Sequence, residues 1–263
     1  MDIQSAVTFV SSRGDAAEQA RLKYLLTLER PSPEAINALL AGQRDDGGWP
    51  PFWASNYSSR DATCFRLAQA EQMGITPSEP AIAQALQFLA GRQHTDGSWE
   101  EDTSVASAAP PWARPGEVAA RLYLTANCGF WMAMLDGPGD GALHAAGYLH
   151  THLGEDGNMP TFLHAHWLAG GLWHRMNRRE LAERVFGYLE SRLSELAVSN
   201  LAWLITALCA AGVPASHRLI STAAELLTQQ QSPDGRWPSE DGPDRDVHST
   251  LESMRALRLC GRF

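Results

Sequence analysis

Three stretches of this chain share one spelling. Gln43-Arg44-Asp45-Asp46-Gly47-Gly48-Trp49, Gln93-His94-Thr95-Asp96-Gly97-Ser98-Trp99 and Gln231-Ser232-Pro233-Asp234-Gly235-Arg236-Trp237 each read Gln, then Asp-Gly, then Trp, at the same internal spacing. They lie too far apart to form one local site, and chance does not restate a pattern so closely. The chain is therefore built from a repeated structural unit.

Each copy closes one helical pattern and opens another after a loop. Segments rich in Ala, Gly, Leu and aromatics nearly all round begin near Thr63, Thr125, His166, Leu201 and Thr250, as helices buried on more than one side do. Thr63 to Gly74 and Thr250 to Gly261 have the same separation, so these two segments share a register. Between them run amphipathic, more charged patterns at 33–40, 79–91, 141–152, 179–193 and 216–230, the first with Pro33 at a first-turn position. Patterns at 3–11 and 15–28 complete the count. The expectation is an all-α fold, a single (α/α)6 barrel of about six helix pairs with the buried helices inside, spanning 1–263 as one domain. An open solenoid is the alternative, and the lack of polar capping repeats favours closure.

A net charge of −9 supplies no basic stripe to offset phosphate, which excludes nucleic acid as a partner. The opening Met1-Asp2-Ile3-Gln4 lacks a basic, then apolar, leader pattern, and no apolar run is long enough to span a bilayer. Cys64, Cys128, Cys209 and Cys260 are scattered without paired spacing, as small core residues in a reducing compartment are. A cytoplasmic location is expected.

The Q-x-x-x-G-x-W spacing resembles the QW repeats of squalene–hopene and oxidosqualene cyclases, members of the α/α-toroid superfamily that also holds protein prenyltransferase β subunits. Three copies match well. A fourth, at Leu153-Gly154-Glu155-Asp156-Gly157-Asn158-Met159, lacks both Gln and Trp. In this setting a Gln at the end of an outer helix bonds freed backbone groups and the Trp covers the joint, so the repeat is a staple rather than a substrate contact.

Class II terpene cyclases, which the chain resembles, begin an inner helix with D-x-D-D-T, whose central Asp protonates an alkene or epoxide. The matching segment here is Asp246-Val247-His248-Ser249-Thr250, with His248 in the acid's place and Asp246 as its natural partner. Two residues before the register position, the same slot holds Asp61, Tyr123, His164 and Ser199 in the other aligned repeats, and the first helix pair has no clear register. Asp61-Ala62-Thr63-Cys64 resembles the D-C-T-A core of the oxidosqualene cyclase acid motif. Polar groups at equivalent inward positions need partners if buried, so these slots mark a candidate site.

Asp61 is the first choice for a general acid. Alkene protonation requires a carboxyl whose pKa is raised, whereas capping its own helix N-terminus would lower it. His248 is expected as a partner that orients Asp61 or replaces it when protonated. Tyr123, His164 and Ser199 add polar cavity groups, while Trp53, Tyr57, Trp112, Trp131 and Trp167 offer ring faces to a cation, each worth roughly 0.5–2 kcal/mol. Loops 50–59 and 103–115 are expected over the mouth, and Glu100-Glu101-Asp102 reads as a solvated acidic turn.

No metal or cofactor is expected. His164 and His166 are two residues apart and do not share a helical face. Cys128 with His248 resembles part of the prenyltransferase zinc site, but position 126 is Ala where the Asp ligand would stand. No D-D-x-x-D pattern is present to hold a magnesium diphosphate. The resemblance implies a cyclase that folds a linear isoprenoid or meroterpenoid in an aromatic cavity and closes rings by acid-initiated cation chemistry, with peripheral membrane contact left open. A non-catalytic toroid holding an apolar ligand or protein, and a different cyclase or hydrolase chemistry on the same scaffold, are the rival readings.

Overall fold

The computed structural model describes residues 1–263 and is all-α. Twelve helices follow one another: α1 (Ile3–Arg13), α2 (Ala16–Thr27), α3 (Pro33–Leu40), α4 (Arg60–Glu71), α5 (Pro80–Ala90), α6 (Val118–Leu135), α7 (Asp140–His150), α8 (Leu163–Arg175), α9 (Arg179–Arg192), α10 (Val198–Ala210), α11 (Arg218–Gln229) and α12 (Asp246–Leu259). They make six pairs in chain order, consistent with an α/α toroid. No strand forms; one isolated bridge joins Trp49 and Ser59. No helix is long and apolar enough to cross a membrane.

From α6 onward two classes of helix alternate: α6, α8, α10 and α12 are buried over most of their surface, the helices between them on one side. By comparison α2 and α4 bury only single stripes. On α6 every residue from Leu122 to Ala133 is buried, and on α8 every residue from Ala165 to His174. Such helices pack on several sides at once, which their small residues allow. A Cβ added at Gly129 of α6 would lie 2.7 Å from the Ala145 Cβ of α7. By contrast α11 buries only Leu219, Ile220, Ala223, Ala224 and Leu227, one stripe at helical spacing.

The chain sorts into two compact units. One comprises Leu39–Glu71 and Ile75–Tyr188; the other comprises Met1–Ala38, Gln72–Gly74 and Leu189–Phe263. The repeats act as staples within each. In the first unit Gln43 Nε2 donates to the carbonyls of Gly47 (2.8 Å) and Ala81 (2.7 Å), and Gln93 Nε2 to those of Gly97 (2.9 Å) and Gly141 (2.8 Å). In the second, Gln231 Nε2 donates to Gly235 O (2.9 Å) and Asp2 O (2.8 Å). Each Gln thus links its own turn to the start of the next outer helix. The indole N–H of Trp49, Trp99 and Trp237 donates to a carbonyl at the end of the preceding helix, on Leu40, Leu89 and Leu227.

The turn glycines fit for two reasons. Gly47, Gly97 and Gly235 have φ of +88°, +90° and +89°, and a Cβ on any of them would fall within 2.5 Å of the backbone of the neighbouring outer helix. Gly157 in the degenerate fourth copy has φ +84° and the same close approach to the Arg184 carbonyl, so this copy keeps the turn without the Gln and Trp.

A hydrogen bond repeated at four joints fixes the register of α4, α6, α8 and α12. The backbone N–H of Trp49, Trp99 and Trp237 donates to Thr63, Thr125 and Thr250 Oγ1 at 3.1, 3.0 and 3.0 Å. In the fourth copy Met159 N donates to His166 Nε2 at 3.0 Å, so a histidine does the threonine's work. Residues two places earlier (Asp61, Tyr123, His164 and His248) are therefore structural equivalents.

A candidate acid site around Asp61

Asp61 lies in the first turn of α4, where a carboxylate is drawn to the free amides of the helix N-terminus. Ser59 Oγ, at the N-cap, accepts the Ala62 N–H at 3.1 Å, and the Arg60 and Asp61 amides remain to be satisfied. Their partner comes from elsewhere. Glu101 accepts the backbone N–H groups of Arg60 (Oε2, 3.2 Å) and Asp61 (Oε1, 3.2 Å). It also accepts Ser59 Oγ at 2.5 Å, Tyr57 Oη at 2.9 Å and Arg60 Nη1 at 3.2 Å. Only 3% of Glu101 is accessible, which corrects the expectation of a solvated acidic turn. A carboxylate this buried persists because Arg60 and four further donors replace its water.

With those amides taken, the half-buried Asp61 turns to other partners. Its Oδ1 accepts Tyr123 Oη at 2.7 Å and Asn127 Nδ2 at 3.4 Å, and its Oδ2 accepts Trp112 Nε1 at 3.0 Å. Burial pushes the carboxyl above its ordinary pKa. The bonds from Tyr123, Trp112 and Asn127 oppose that rise, and the nearby Glu101 charge reinforces it. Burial, with Asp61 beside it, raises the Tyr123 phenol well above its usual range, so it remains a donor at neutral pH. Trp112 reaches Asp61 from the 3-10 turn Pro111–Ala113 in the 103–115 loop, which is thereby anchored at the site.

Further groups complete this cluster. The His164 ring meets the Tyr123 ring edge-on at 4.6 Å and stacks on Phe162 at 5.5 Å. Burial, followed by the neighbouring His166, lowers the His164 pKa to about 4, so it is neutral at pH 7. Cys64 and Cys128 face each other below Asp61 with sulfurs 3.7 Å apart. Trp53 and Tyr57 sit half-buried with ring centroids 6.2 Å apart. Trp131 is buried, and Trp167 has no accessible surface to offer a ligand in this conformation. A surface recess of about 620 Å³ beside Arg60 is lined by Arg44, Asp46, Tyr57, Arg92 and Asp102. It is charged rather than apolar, and unsuited to a hydrocarbon.

His248 lies in the other unit. Arg21 Nη1 contacts its Nδ1 at 3.2 Å, and Glu252 stands 4.0 Å from its Nε2. Arg21 also pairs with Glu252 at 2.5 Å and bonds Gln72 Oε1. Because an arginine can only donate, His248 Nδ1 must accept, which places the neutral ring's proton on Nε2. Burial lowers the His248 pKa, with Arg21 adding to the effect and Glu252 opposing it. Burial works to raise Glu252, but Arg21, with Arg255 and a hydrogen bond to Gln72, outweighs it and holds that carboxyl below its usual range. Asp246 is not the partner expected for His248: its Oδ1 accepts Ser239 N at 2.8 Å and its Oδ2 pairs with Arg236 at 3.2 Å, bracing the preceding turn. Ser199 Oγ donates to Glu240 at 2.6 Å.

Sequence reasoning missed Glu101, Arg60, Asn127, Arg21 and Glu252. Asn127 had a legible signal, four residues after Tyr123 on the same helical face. Arg21 lies on the pair whose register the sequence does not define.

No family model matches this chain, and no curated protein matches it by sequence. Among solved structures it is similar to a protein from Actinoplanes, with 19% identity, a TM-score of 0.64 and 98% of each chain covered. It is also similar to type II terpene cyclase MstE from Scytonema. An arginine-to-alanine variant of MstE in complex with geranylgeranyl dihydroxybenzoate, its substrate, aligns at 16% identity and TM-score 0.63, covering 99% of this chain and 96% of that one. The apo MstE structure aligns at 17% identity and TM-score 0.62, covering 97% and 96%. The chain therefore has a terpene-cyclase-like fold.

Proposed function

We propose that this protein is a terpene-cyclase-like enzyme that takes a linear isoprenoid or meroterpenoid and closes rings by proton-initiated cation chemistry. The carrying observation is Asp61, a half-buried carboxyl in the first turn of a helix whose first two amides are taken by Glu101, while its own oxygens face Tyr123, Trp112 and Asn127. Burial favours its protonated form, the form a general acid needs. In the reaction the Asp61 O–H bond breaks, the proton adds to a terminal alkene carbon or epoxide oxygen, and the resulting cation is captured by the next alkene. Loss of a proton or capture by a nucleophile ends the cascade.

The substrate named for MstE, a geranylgeranyl chain on an aromatic acid, supports this reading at the level of ligand class. Trp112, Tyr123, Trp53 and Tyr57 supply ring faces for cationic intermediates in this proposal. His248, neutral and with Nδ1 facing Arg21, is not the acid in this reading. Phe52, 90% exposed beside Trp53, supports peripheral contact with the membranes in which such substrates dissolve.

The test is incubation of purified protein with geranylgeraniol, squalene, a geranylgeranylated hydroxybenzoate and their terminal epoxides, with products analysed for new rings. Ring formation that Asp61→Asn abolishes and His248→Ala retains supports the assignment. Undiminished cyclisation in Asp61→Asn removes the chemistry, and binding of every substrate without turnover favours a non-catalytic carrier.

A further inference from the structure

The network around Glu101 joins two segments, 57–61 and 101–102, at the point where α4 begins. Five donors converge on its two oxygens: two backbone N–H groups, two hydroxyls and one guanidinium nitrogen. Tyr57 Oη in turn accepts Asp102 N at 2.8 Å and a hydrogen bond from Arg60 Nη1 at 2.5 Å, so the loop carrying Glu101 is tied down at two successive residues. Ser59 Oγ, at the N-cap, takes the Ala62 N–H at 3.1 Å, which leaves the Arg60 and Asp61 amides for a carboxylate such as the first-turn Asp61 to bond. The chain instead buries a second carboxylate to do it, at the desolvation cost such a group carries.

We propose that Glu101 is a positioning residue for Asp61. By taking the Arg60 and Asp61 amides in its place and setting a negative charge beside it, Glu101 keeps the Asp61 carboxyl turned toward Tyr123 and Trp112 and able to hold a proton. This rests on the reading of Asp61 as the acid. The physical logic has two parts. Helix N-terminal amides stabilise a carboxylate, so an Asp61 that capped α4 would be a poorer proton donor. A fixed charge of like sign nearby disfavours ionisation of Asp61, in the direction its raised pKa already takes. Besides Glu101, itself paired with Arg60 at 3.2 Å, the groups near Asp61 are Tyr123 and Asn127 from α6, Trp112 from the 103–115 loop and Cys64 of α4; His164 of α8 lies against Tyr123. Glu101 is the one anion here.

The test reads the carboxyl directly and needs no turnover, so it stands apart from the outcome of the cyclisation assay. Full-length protein labelled with ¹³C at Asp and Glu carboxyls is titrated by NMR, with the Asp61 signal assigned by its loss in Asp61→Asn. In Glu101→Gln the Asp61 midpoint is expected at lower pH than in the native protein, while Glu101→Asp, which keeps the charge, stays nearer the native value. A midpoint that is unchanged or higher in Glu101→Gln overturns the proposal. Glu101→Gln puts an NH2 group among donors and can fail to fold, so the native protein supplies a second measurement. The Trp112 indole N–H should titrate with Asp61, while the amides of Arg60 and Asp61 show no step at the Asp61 midpoint. Amides that track the Asp61 midpoint would show Asp61 capping its own helix, and the proposal fails.

Discussion

Gln231 Nε2 donates to the Asp2 carbonyl at 2.8 Å, and Asp2 N donates back to Gln231 Oε1 at 2.7 Å, across nearly the whole length of the chain. The device that links consecutive outer helices elsewhere here links the last outer helix to the first. With the bond to Gly235, Gln231→Ala removes three hydrogen bonds to backbone groups. We expect a loss of about 1–3 kcal/mol, since each net bond is worth roughly 1 kcal/mol and some carbonyls regain water. Thermal unfolding measures the loss. Limited proteolysis should release α1 early from this variant and not from Gln43→Ala, because Gln43 joins α3 to α5. Equal release from both would mean that α1 is held by its apolar face alone.

Gly97 and Gly137 share a left-handed backbone, at φ +90° and +87°, but differ in surroundings. An added Cβ at Gly97 meets the His144 carbonyl oxygen at 2.5 Å, while at Gly137 nothing lies within 4 Å. Gly137→Ala should cost only the conformational term, on the order of 1 kcal/mol. Gly97→Ala must also push α7 away, adding about 1–3 kcal/mol of overpacking. Denaturant midpoints at constant slope compare the two, and similar values would show that the approach of α7 to the turn is slack.

His164 carries a pH dependence whose sign is fixed by its burial. Its folded pKa of about 4 lies below the unfolded value, so the unfolded chain binds more protons as pH falls. Stability contributed by the neutral ring is full above about pH 6.5 and is lost progressively as pH falls toward 4. Allowing for partial access of solvent, this is no more than about 3 kcal/mol. His164→Gln should flatten the stability curve between pH 4 and 6.5 relative to the native protein. A curve of unchanged slope would assign the dependence to another group.

The fold was legible because its determinants are local and repeated. Gln, Gly and Trp at fixed spacing specify the staple and the left-handed turn, and Ala-rich all-round apolarity separates α6 and α8 from one-sided helices such as α11. The register behind four of the five slots is visible in the bonds to Thr63, Thr125, His166 and Thr250, which align Asp61, Tyr123, His164 and His248. Leu201, two places after Ser199, has no side chain to make such a bond. Partners were legible only in part, because the sequence does not show where a side chain is bonded. Glu101 looks like any acidic turn until Arg60, Tyr57 and Ser59 close over it. Asp246 looks like a histidine's carboxylate until Arg236 and the Ser239 amide claim it. Arg21 comes from the one helix pair with no repeat to align.

Tyr123 offers the cleanest probe of the Asp61 carboxyl. Its hydroxyl donates to Oδ1 at 2.7 Å and accepts Asn127 Nδ2 at 3.2 Å, so it favours the ionised acid while holding it in place. Tyr123→Phe removes one donor to the charged form and leaves the ring packing against His164 largely intact. The Asp61 midpoint should therefore move to higher pH, because the protonated form loses less than the carboxylate. If Asp61 is the acid, the basic limb of the cyclisation profile should move upward with it, even where the maximal rate falls through poorer orientation. Trp112→Phe should shift the midpoint in the same direction through Oδ2. A midpoint that stays put or falls in both variants would mean that these bonds do not set the charge of Asp61.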